Sequence, residues 1–213
     1  MSKTYKGQIT NSVVELTLQE EAVGAGFDTP TIVWDDTVNG EIDQVQGDIP
    51  ASWKNGGIKQ LQIGSSCTSI GSQAFYYCSG LTGDLVIPDS VTSIENSAFG
   101  FCGFTGSLVI PNSVTSIGSG AFDYCSGFTG YLVIPNSVTN IGSYAFQGCS
   151  NLTTAYLAPP LSSVGSFSFQ YSGLTTVYAK DAVANGWTLG AGQTVGGKSG
   201  VTVIDWTNYP DIP

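Results

Sequence analysis

Leu132-Val-Ile-Pro-Asn-Ser-Val-Thr-Asn-Ile141 is the third of three nearly identical segments in the middle of the chain. The earlier copies are Leu85-Val-Ile-Pro-Asp-Ser-Val-Thr-Ser-Ile94 and Leu108-Val-Ile-Pro-Asn-Ser-Val-Thr-Ser-Ile117. A repeat of about 24 residues is typical of a solenoid, in which each coil must stack on its neighbours to bury its apolar face. The repeat therefore predicts the architecture before local propensities are considered.

The register of these segments extends to about five coils between residues 58 and 178. Equivalent positions form columns, which are Ile70, Ile94, Ile117, Ile141 and Val164; Ala74, Ala98, Ala121, Ala145 and Ser168; Phe75, Phe99, Phe122, Phe146 and Phe169; and Cys78, Cys102, Cys125, Cys149 and Ser172. The alternating Leu-x-Ile predicts a short strand, and the proline after it ends the strand because it has no N–H to donate. We expect adjacent coils to pair as parallel strands about 4.8 Å apart.

One coil carries a recognisable motif, Ile134-Pro-Asn-Ser-Val-Thr-Asn-Ile-Gly-Ser-Tyr-Ala-Phe-Gln-Gly-Cys-Ser-Asn-Leu152. It resembles the BspA-like class of leucine-rich repeat over rather more than half of the chain. The resemblance implies a curved, right-handed solenoid used for binding or surface display, and it does not imply an enzyme. The first coil departs from the motif at Gly64 and Cys67, and the last coil departs at Ala158, as expected where a stack is capped.

The predicted fold class is mainly β: a right-handed, leucine-rich-repeat-type β-solenoid of about five 23–24-residue coils with small β caps at both ends. We divide the chain into an N-terminal β cap or attachment subdomain at 1–57, a solenoid at 58–179 and a C-terminal cap at 180–213. In the first region, Ser12–Leu18 alternates like a strand, and Asn39-Gly40 predicts a hairpin joining Thr31–Val38 to Glu41–Gln46. In the last, 182–185 predicts one helical turn and 200–205 a final strand.

Charge argues against one class of partner, and the distribution of apolar residues argues against another. The net charge is −10, the six basic residues are all lysine, and none lies between Lys59 and Lys180. Nucleic-acid binding requires a basic surface, so we expect no nucleic-acid partner. We also expect no membrane insertion, because no apolar run approaches the length of a membrane span.

Catalysis is the least supported function. The chain has no histidine, which is the commonest general base and metal ligand, so we expect no enzyme, no cofactor and no metal. The N-terminal segment Met-Ser-Lys-Thr-Tyr-Lys-Gly-Gln lacks the apolar region of a secretory signal. This absence favours a protein assembled inside a cell and released by lysis, such as a virion component.

The cysteine column predicts a ladder of buried thiols that pack as small hydrophobic groups. A disulfide between neighbouring coils is sterically allowed, but the pattern singles out no pair. An aligned ladder does not surround one ion tetrahedrally, so a metal site is not expected.

Two motifs imitate ligand sites. Gly192–Ser199 satisfies the P-loop pattern, but the next residues read as a strand rather than the helix that phosphate binding requires. We therefore interpret it as a glycine-rich turn between two strands. Asp35–Gln46 imitates a calcium loop, but Gln46 replaces the closing glutamate, and the Asn-Gly hairpin is the preferred interpretation.

The candidate binding residues form columns. The outward position of the strands is occupied by Val86, Val109, Val133, Tyr156 and Tyr178, and the position before each cysteine by Tyr77, Phe101, Tyr124 and Tyr171. Such stripes suit a sugar-binding or protein-binding face, whereas ordinary cross-coil stacking is the structural alternative. The tryptophans Trp34, Trp53, Trp187 and Trp206 all lie in the flanks and are candidate attachment or oligomer contacts.

The function we expect is a non-catalytic recognition or decoration module on a virion, as a tail fibre, spike or capsid ornament. Its partners would be a protein or glycan on a cell surface, with a possible homo-oligomer or other virion proteins. Two alternatives remain: a structural assembly subunit whose solenoid is a spacer, and a secreted bacterial surface adhesin. The expected location is a virion or an extracellular surface.

Overall fold

A computed structural model describes residues 4–10, 13–19, 31–34, 41–42, 60–63, 67–158, 160 and 163–207. Every regular element among these residues longer than one turn is a β-strand. In chain order the strands are β1 (Thr4–Thr10), β2 (Val13–Gln19), β3 (Thr31–Trp34), β4 (Glu41–Ile42), β5 (Gln60–Ile63), β6 (Ser69–Ile70), β7 (Ser93–Ile94), β8 (Gly106–Val109), β9 (Ser116–Ile117), β10 (Phe128–Ile134), β11 (Asn140–Ile141), β12 (Thr154–Leu157), β13 (Thr176–Ala179), β14 (Gly190–Val195) and β15 (Lys198–Asp205).

Two parallel ladders run from coil to coil and confirm the predicted solenoid. The strands at the Leu-Val-Ile position of the later coils and the terminal strands form a six-stranded sheet in the order β14-β15-β13-β12-β10-β8. The strand predicted at Leu85–Ile87 does not form, and its coil contributes only the isolated bridge between Asp84 and Thr105. The Ser-Ile pairs form a second sheet in the order β11-β9-β7-β6-β4. Leu132 pairs with Leu108 on one side and with Ala155 on the other, so equivalent residues lie one above the next. The fold is a β-solenoid of about six turns with coils of about 23 residues.

A continuous file of phenylalanine rings fills the interior. Phe75, Phe99, Phe122, Phe146 and Phe169 are buried, and consecutive ring centroids are 5.3–5.4 Å apart with nearly parallel planes. The preceding column is alanine in four of the five coils, and this small side chain leaves room for the ring beside it. The alternation of small and large residues therefore repeats at every coil without a packing conflict.

Glycine follows the column isoleucine or valine in four of the five coils, Glu95 being the exception, and at Gly118 and Gly142 the coils approach each other closely. A Cβ on Gly118 would lie 2.5 Å from the backbone nitrogen of Asn96, and one on Gly142 would lie 2.4 Å from that of Ser119. No side chain fits in that space without moving the backbone of the preceding coil.

Each coil turns through two positions with left-handed backbone. The first column comprises Gln73, Ser97, Gly120, Tyr144 and Phe167, and the second comprises Tyr77, Phe101, Tyr124, Gly148 and Tyr171, with φ between 54° and 68°. Only two of these ten residues are glycine, so the turn is imposed by stacking rather than by local preference. We call the side of the solenoid that these turns form the turn face.

The N-terminal hairpin predicted across Asn39-Gly40 is wrong. β3 lies parallel between β1 and β5 in a four-stranded sheet in the order β2-β1-β3-β5. β4 instead belongs to the five-stranded sheet, where it pairs in parallel with β6. The segment therefore follows the path of a solenoid coil, because parallel pairing with the next coil outweighs a local turn signal. The predicted strand at Ser12–Leu18 is present as β2, which forms an antiparallel pair with β1.

The C-terminal end follows the expected pattern. β15 pairs in parallel with β13 and in antiparallel fashion with β14, and the turn between β14 and β15 contains Gly196 and Gly197. A hydrogen bond of 2.9 Å from the Asn185 N–H to the Asp181 carbonyl closes a single turn near the predicted one. The ladders continue across residues 57 and 179, and the three-domain division stays a prediction.

Candidate functional site

The outward residues of the strands form one column, as the repeat predicts. Val109 pairs in register with Val133, Val133 with Tyr156, and Tyr156 with Tyr178. Val86 is 70% exposed and Val109 is 47% exposed, which is unusual for valine in a folded protein. The tyrosine rings at the other end stack with centroids 4.9 Å apart, so the column changes from aliphatic to aromatic along the solenoid.

Val133 was expected to be exposed, but it is buried. It pairs with the larger Tyr156 on one side and with Val109 on the other, and these neighbours cover it. The exposed aliphatic surface therefore consists of the two earlier valines.

A groove of ≈ 810 Å³ runs across the coils over this column. We call it the strand-face groove. Its base includes Val86, Val109 and Val133, and one side follows the corner after the strands, where Asp89, Asn112 and Asn136 succeed one another from coil to coil. The groove thus combines an apolar base with a regular row of polar side chains, as binding sites for proteins and small molecules commonly do.

Charged and polar side chains mark the two ends of the groove. Asp84 and Asp89 lie at the end nearest the N-terminus, and Lys180 and Trp206 lie at the other end. Trp206 is buried, and its indole Nε1–H has no hydrogen-bond partner among the described residues. This orphan donor is costly unless a ligand or water accepts its hydrogen bond.

Two of the four tryptophans have side chains that the structure describes. Trp187 and Trp206 are both buried, and the Trp206 ring lies 5.5 Å from that of Tyr156. Trp34 lies in β3, where only the backbone is described, and Trp53 lies outside the described residues. Their proposed role in attachment stays a prediction, and for Trp187 and Trp206 burial indicates a part in packing.

Tyr77, Phe101 and Tyr124 form a stack on the turn face. Their rings are nearly parallel, with centroids 4.6 Å and 5.2 Å apart. Tyr76 packs edge-on against the first two rings. The stack ends at Gly148, where a Cβ would lie 2.7 Å from the Tyr124 ring.

A second stack on the turn face was missed by the sequence interpretation. Tyr144 and Phe167 are 42% and 44% exposed, and their rings lie 5.6 Å apart. They occupy the first left-handed column, whose earlier members are Gln73, Ser97 and Gly120. The stack could have been predicted from the sequence, because two aromatic residues 23 positions apart share a repeat position.

The orientation of these rings limits the ligands that they suit. In both stacks each ring covers a face of its neighbour, so mainly ring edges meet the solvent. A sugar ring packs best on an open aromatic face, whereas ring edges pack against other aromatic and aliphatic side chains. The stacks therefore favour protein contact or simple stabilisation over glycan binding.

The cysteine column consists of thiols that also hydrogen-bond between coils. The Sγ atoms of Cys102, Cys125 and Cys149 donate to the carbonyl oxygens of Phe75, Phe99 and Phe122 over 3.0–3.3 Å. Burial raises the pKa of Cys125 to about 12 and raises that of Cys102 and Cys149 well above its usual range. Thiols held protonated in this way are poor nucleophiles.

Asp123 is the one carboxyl group of the described turn face with a strongly altered environment. Burial raises its pKa to about 6, and its Oδ1 has no hydrogen-bond partner among the described residues. Tyr76, Cys125 and Cys149 are the titratable groups that interact with it. Asp123 is therefore a pH-sensitive group of the turn face.

The two motifs that imitate ligand sites have different outcomes. Gly192–Ser199 forms the β14–β15 turn, and the strand after it leaves no helix N-terminus to face a phosphate, as predicted. Asp35–Gln46 lies largely outside the described residues. Within the described residues there is no group of three or more metal-ligating side chains, and no helix has the length and hydropathy of a membrane span.

Comparison with known proteins places the repeat in a family. The model of the BspA type leucine rich repeat region matches residues 51–130 and 68–185, in six copies. No curated protein matches the chain.

Three of the similar solved structures are leucine-rich proteins from other organisms. A leucine-rich repeat protein from Bacteroides ovatus is 19% identical over 84% of this chain and 70% of its own, with a TM-score of 0.40. A leucine rich cell surface protein from Faecalibacterium prausnitzii is 23% identical over 69% of this chain and 60% of its own, with a TM-score of 0.28. A leucine-rich repeat protein from Eubacterium ventriosum is 15% identical over 70% of this chain and 66% of its own, with a TM-score of 0.24.

Proposed function

The chain belongs to the family of BspA type leucine-rich repeats, and from that premise we propose that it is a non-catalytic recognition module that binds a partner protein through the strand-face groove. The observation that carries the proposal is the groove itself, with two exposed valines at its base and a polar row along one side. Exposed aliphatic side chains in a concave, polar-rimmed surface mark protein interaction sites.

The rigidity of the scaffold supports this function. The coils are joined by parallel strand pairs on two sides, by the isolated Asp84–Thr105 bridge where Leu85–Ile87 is not a strand, and by further bonds from a row of threonines. The hydroxyl groups of Thr92, Thr115 and Thr139 donate to backbone carbonyls of the preceding coil over 3.0–3.2 Å. A surface held in this way loses little conformational entropy on binding, which increases affinity.

A protein partner is favoured over a glycan. The aromatic rings of the turn face are stacked on one another, and the exposed members of the strand column in the groove are aliphatic. The described residues that line the groove therefore lack the exposed aromatic face that sugar binding uses.

We further propose that the module is displayed on an extracellular surface, with a virion as the specific expectation. The alternatives are a bacterial surface adhesin and a structural assembly subunit with the solenoid as a spacer. Neighbouring capsid and tail genes would support the virion, and their absence would count against it. A discrete oligomer in solution without ligand binding would favour the assembly subunit over recognition.

The direct test compares arrays of cell-surface proteins and of glycans probed with the labelled protein. We expect saturable binding to one or a few proteins and none to glycans. Binding to glycans alone would overturn the assignment of the partner, and binding to neither class at high micromolar concentration would overturn the function.

A further inference from the structure

The two ends of the strand-face groove carry opposite charges. This arrangement limits the kind of ligand that the groove can bind. Residues 60–179 contain no basic side chain, and among the described residues that line the groove the one cation is Lys180 at its far end. The opposite end carries the two carboxylates Asp84 and Asp89. The following inference rests on the proposed function, because it concerns the partner of the same groove.

The acidic end has the form of a site for a long cationic side chain. Asp84 precedes the outward position of its coil and Asp89 follows it, so the exposed Val86 lies between two carboxylates in sequence along the coil. Asp84 also rests over Gly106, where a Cβ would lie 2.6 Å from its Oδ1. A lysine or arginine can pack its aliphatic stem on Val86 while its charged head reaches a carboxylate.

The basic end of the groove carries the ammonium group of Lys180. Lys180 and Trp206 occupy the same repeat position in successive coils, and the indole N–H of Trp206 has no partner among the described residues. The neighbouring carboxylates, Asp181 and Asp205, both accept hydrogen bonds from Thr207. The Lys180 ammonium group is suited to a carboxylate. The Trp206 Nε1 is buried, so Trp206 contributes to the wall of the groove rather than a donor to its occupant.

The distance between the ends sets the length of the occupant. Asp89 lies in the coil of Leu85, and Lys180 lies four coils further along, so the ends are about 19 Å apart at about 4.8 Å per coil. An extended peptide that rises about 3.3 Å per residue covers this distance with about six residues.

We propose that the groove binds an extended peptide segment of a partner protein, about six residues long, with a basic side chain at the Asp84–Asp89 end, a carboxylate at the Lys180–Trp206 end and apolar side chains between them. The segment lies across the strands, along the axis of the solenoid. The polarity of the groove then fixes the direction in which a given segment binds.

The test measures fluorescence anisotropy with three dye-labelled, C-terminally amidated hexapeptides. They are Lys-Thr-Val-Thr-Val-Glu, Glu-Thr-Val-Thr-Val-Glu and the neutral Gln-Thr-Val-Thr-Val-Gln. Two partly exposed ion pairs correspond to about a tenfold difference in affinity, so the first peptide should bind about tenfold more tightly than the others at low salt. Equal affinity for all three peptides would overturn the inference.

Matched variants assign the difference to the groove ends. Lys180→Gln should weaken binding of the first peptide about threefold without affecting the neutral peptide, whereas Lys198→Gln, in the β14–β15 hairpin, should change neither. Lys180→Glu should reverse the preference and bind Lys-Thr-Val-Thr-Val-Lys more tightly than the wild type does. A reversal cannot arise from loss of folding, and its absence would count against the proposal.

The outcomes separate this inference from the function on which it rests. If the partner found on the array loses affinity for Val86→Glu/Val109→Glu but the peptides bind equally, the groove is the site and the polarity is irrelevant. If the double variant keeps full affinity for that partner, the proposed function itself fails.

Discussion

Phe122 shows at the residue scale how the fold is stabilised. Its ring contacts Phe99 and Phe146 at 5.3 Å and 5.4 Å, and no part of it reaches the solvent. Replacement with alanine removes contacts to both neighbouring coils and leaves a cavity that a ladder cannot close by moving one coil. We predict that Phe122→Ala lowers the free energy of unfolding by about 3–5 kcal/mol in urea denaturation. The exposed Val86→Ala should change it by less than about 0.5 kcal/mol, and equal losses would contradict the model of the core.

Asp123 should make stability depend on pH. Its folded pKa, about 6, lies above its ordinary value because burial disfavours the charge. The stabilisation is therefore fully present below the ordinary pKa and is lost as the pH rises through about 6. We predict that the stability of the wild type falls relative to that of Asp123→Asn between pH 4 and pH 7 in urea unfolding. Parallel pH profiles would show that the carboxyl group is solvated.

The thiols of the cysteine column should not react with thiol reagents in the native state. Cys102, Cys125 and Cys149 are buried, hydrogen-bonded to carbonyl groups and protonated at neutral pH. We predict that a thiol reagent labels them only after unfolding in denaturant, with labelling followed by mass spectrometry. Rapid labelling of these three residues in buffer would contradict the packing.

The repeat in the sequence predicted some side-chain contacts and missed others. The Phe and Cys columns followed directly from the period, because a strict repeat places equivalent side chains in contact. The Tyr144–Phe167 stack and the burial of Val133 were missed. The stack could have been found from the shared repeat position of its two residues, whereas the burial of Val133 depends on what the neighbouring coils present, which varies from coil to coil.

Among the elements, the two ladders were predictable and the N-terminal strands were not. The period fixed the spacing of the strands between β6 and β13, whereas Asn39-Gly40 favoured a hairpin that does not form. A turn motif reports only local preference, and pairing with a distant coil buries more apolar surface. Where the repeat motif is poorly matched, the sequence does not reveal whether the local turn preference or the pairing between coils has the larger effect.

The terminal hairpin is predicted to protect the edge of the solenoid. β15 covers β13, and Val195, Val201 and Val203 of the hairpin are buried. Deletion of residues 190–213 would expose a regular strand edge, which is a template for pairing with another molecule. We expect the truncated chain to self-associate in light scattering at micromolar concentration, whereas Lys198→Ala should not. A monomeric truncated chain with unchanged melting temperature would contradict this role.

For the whole molecule, the repeat explains both the fold and the position of the site. Stacking brings outward residues that are 23 or 24 positions apart in sequence into one surface, and no single coil contains that surface. The column positions of the groove residues were therefore predictable. Its polarity was not, because Lys180 and Trp206 come from beyond the regular repeat.

The most direct test of the account is the affinity of the partner protein identified on the array for two matched variants. Val86→Glu/Val109→Glu places charges at the apolar base of the strand-face groove, and Tyr77→Ser/Tyr124→Ser removes exposed rings from the turn face. We predict that surface plasmon resonance shows at least about a tenfold loss of affinity for the first variant and little change for the second, with both variants folded. Retained affinity for the valine variant together with loss for the tyrosine variant would place the binding site on the turn face and contradict the account.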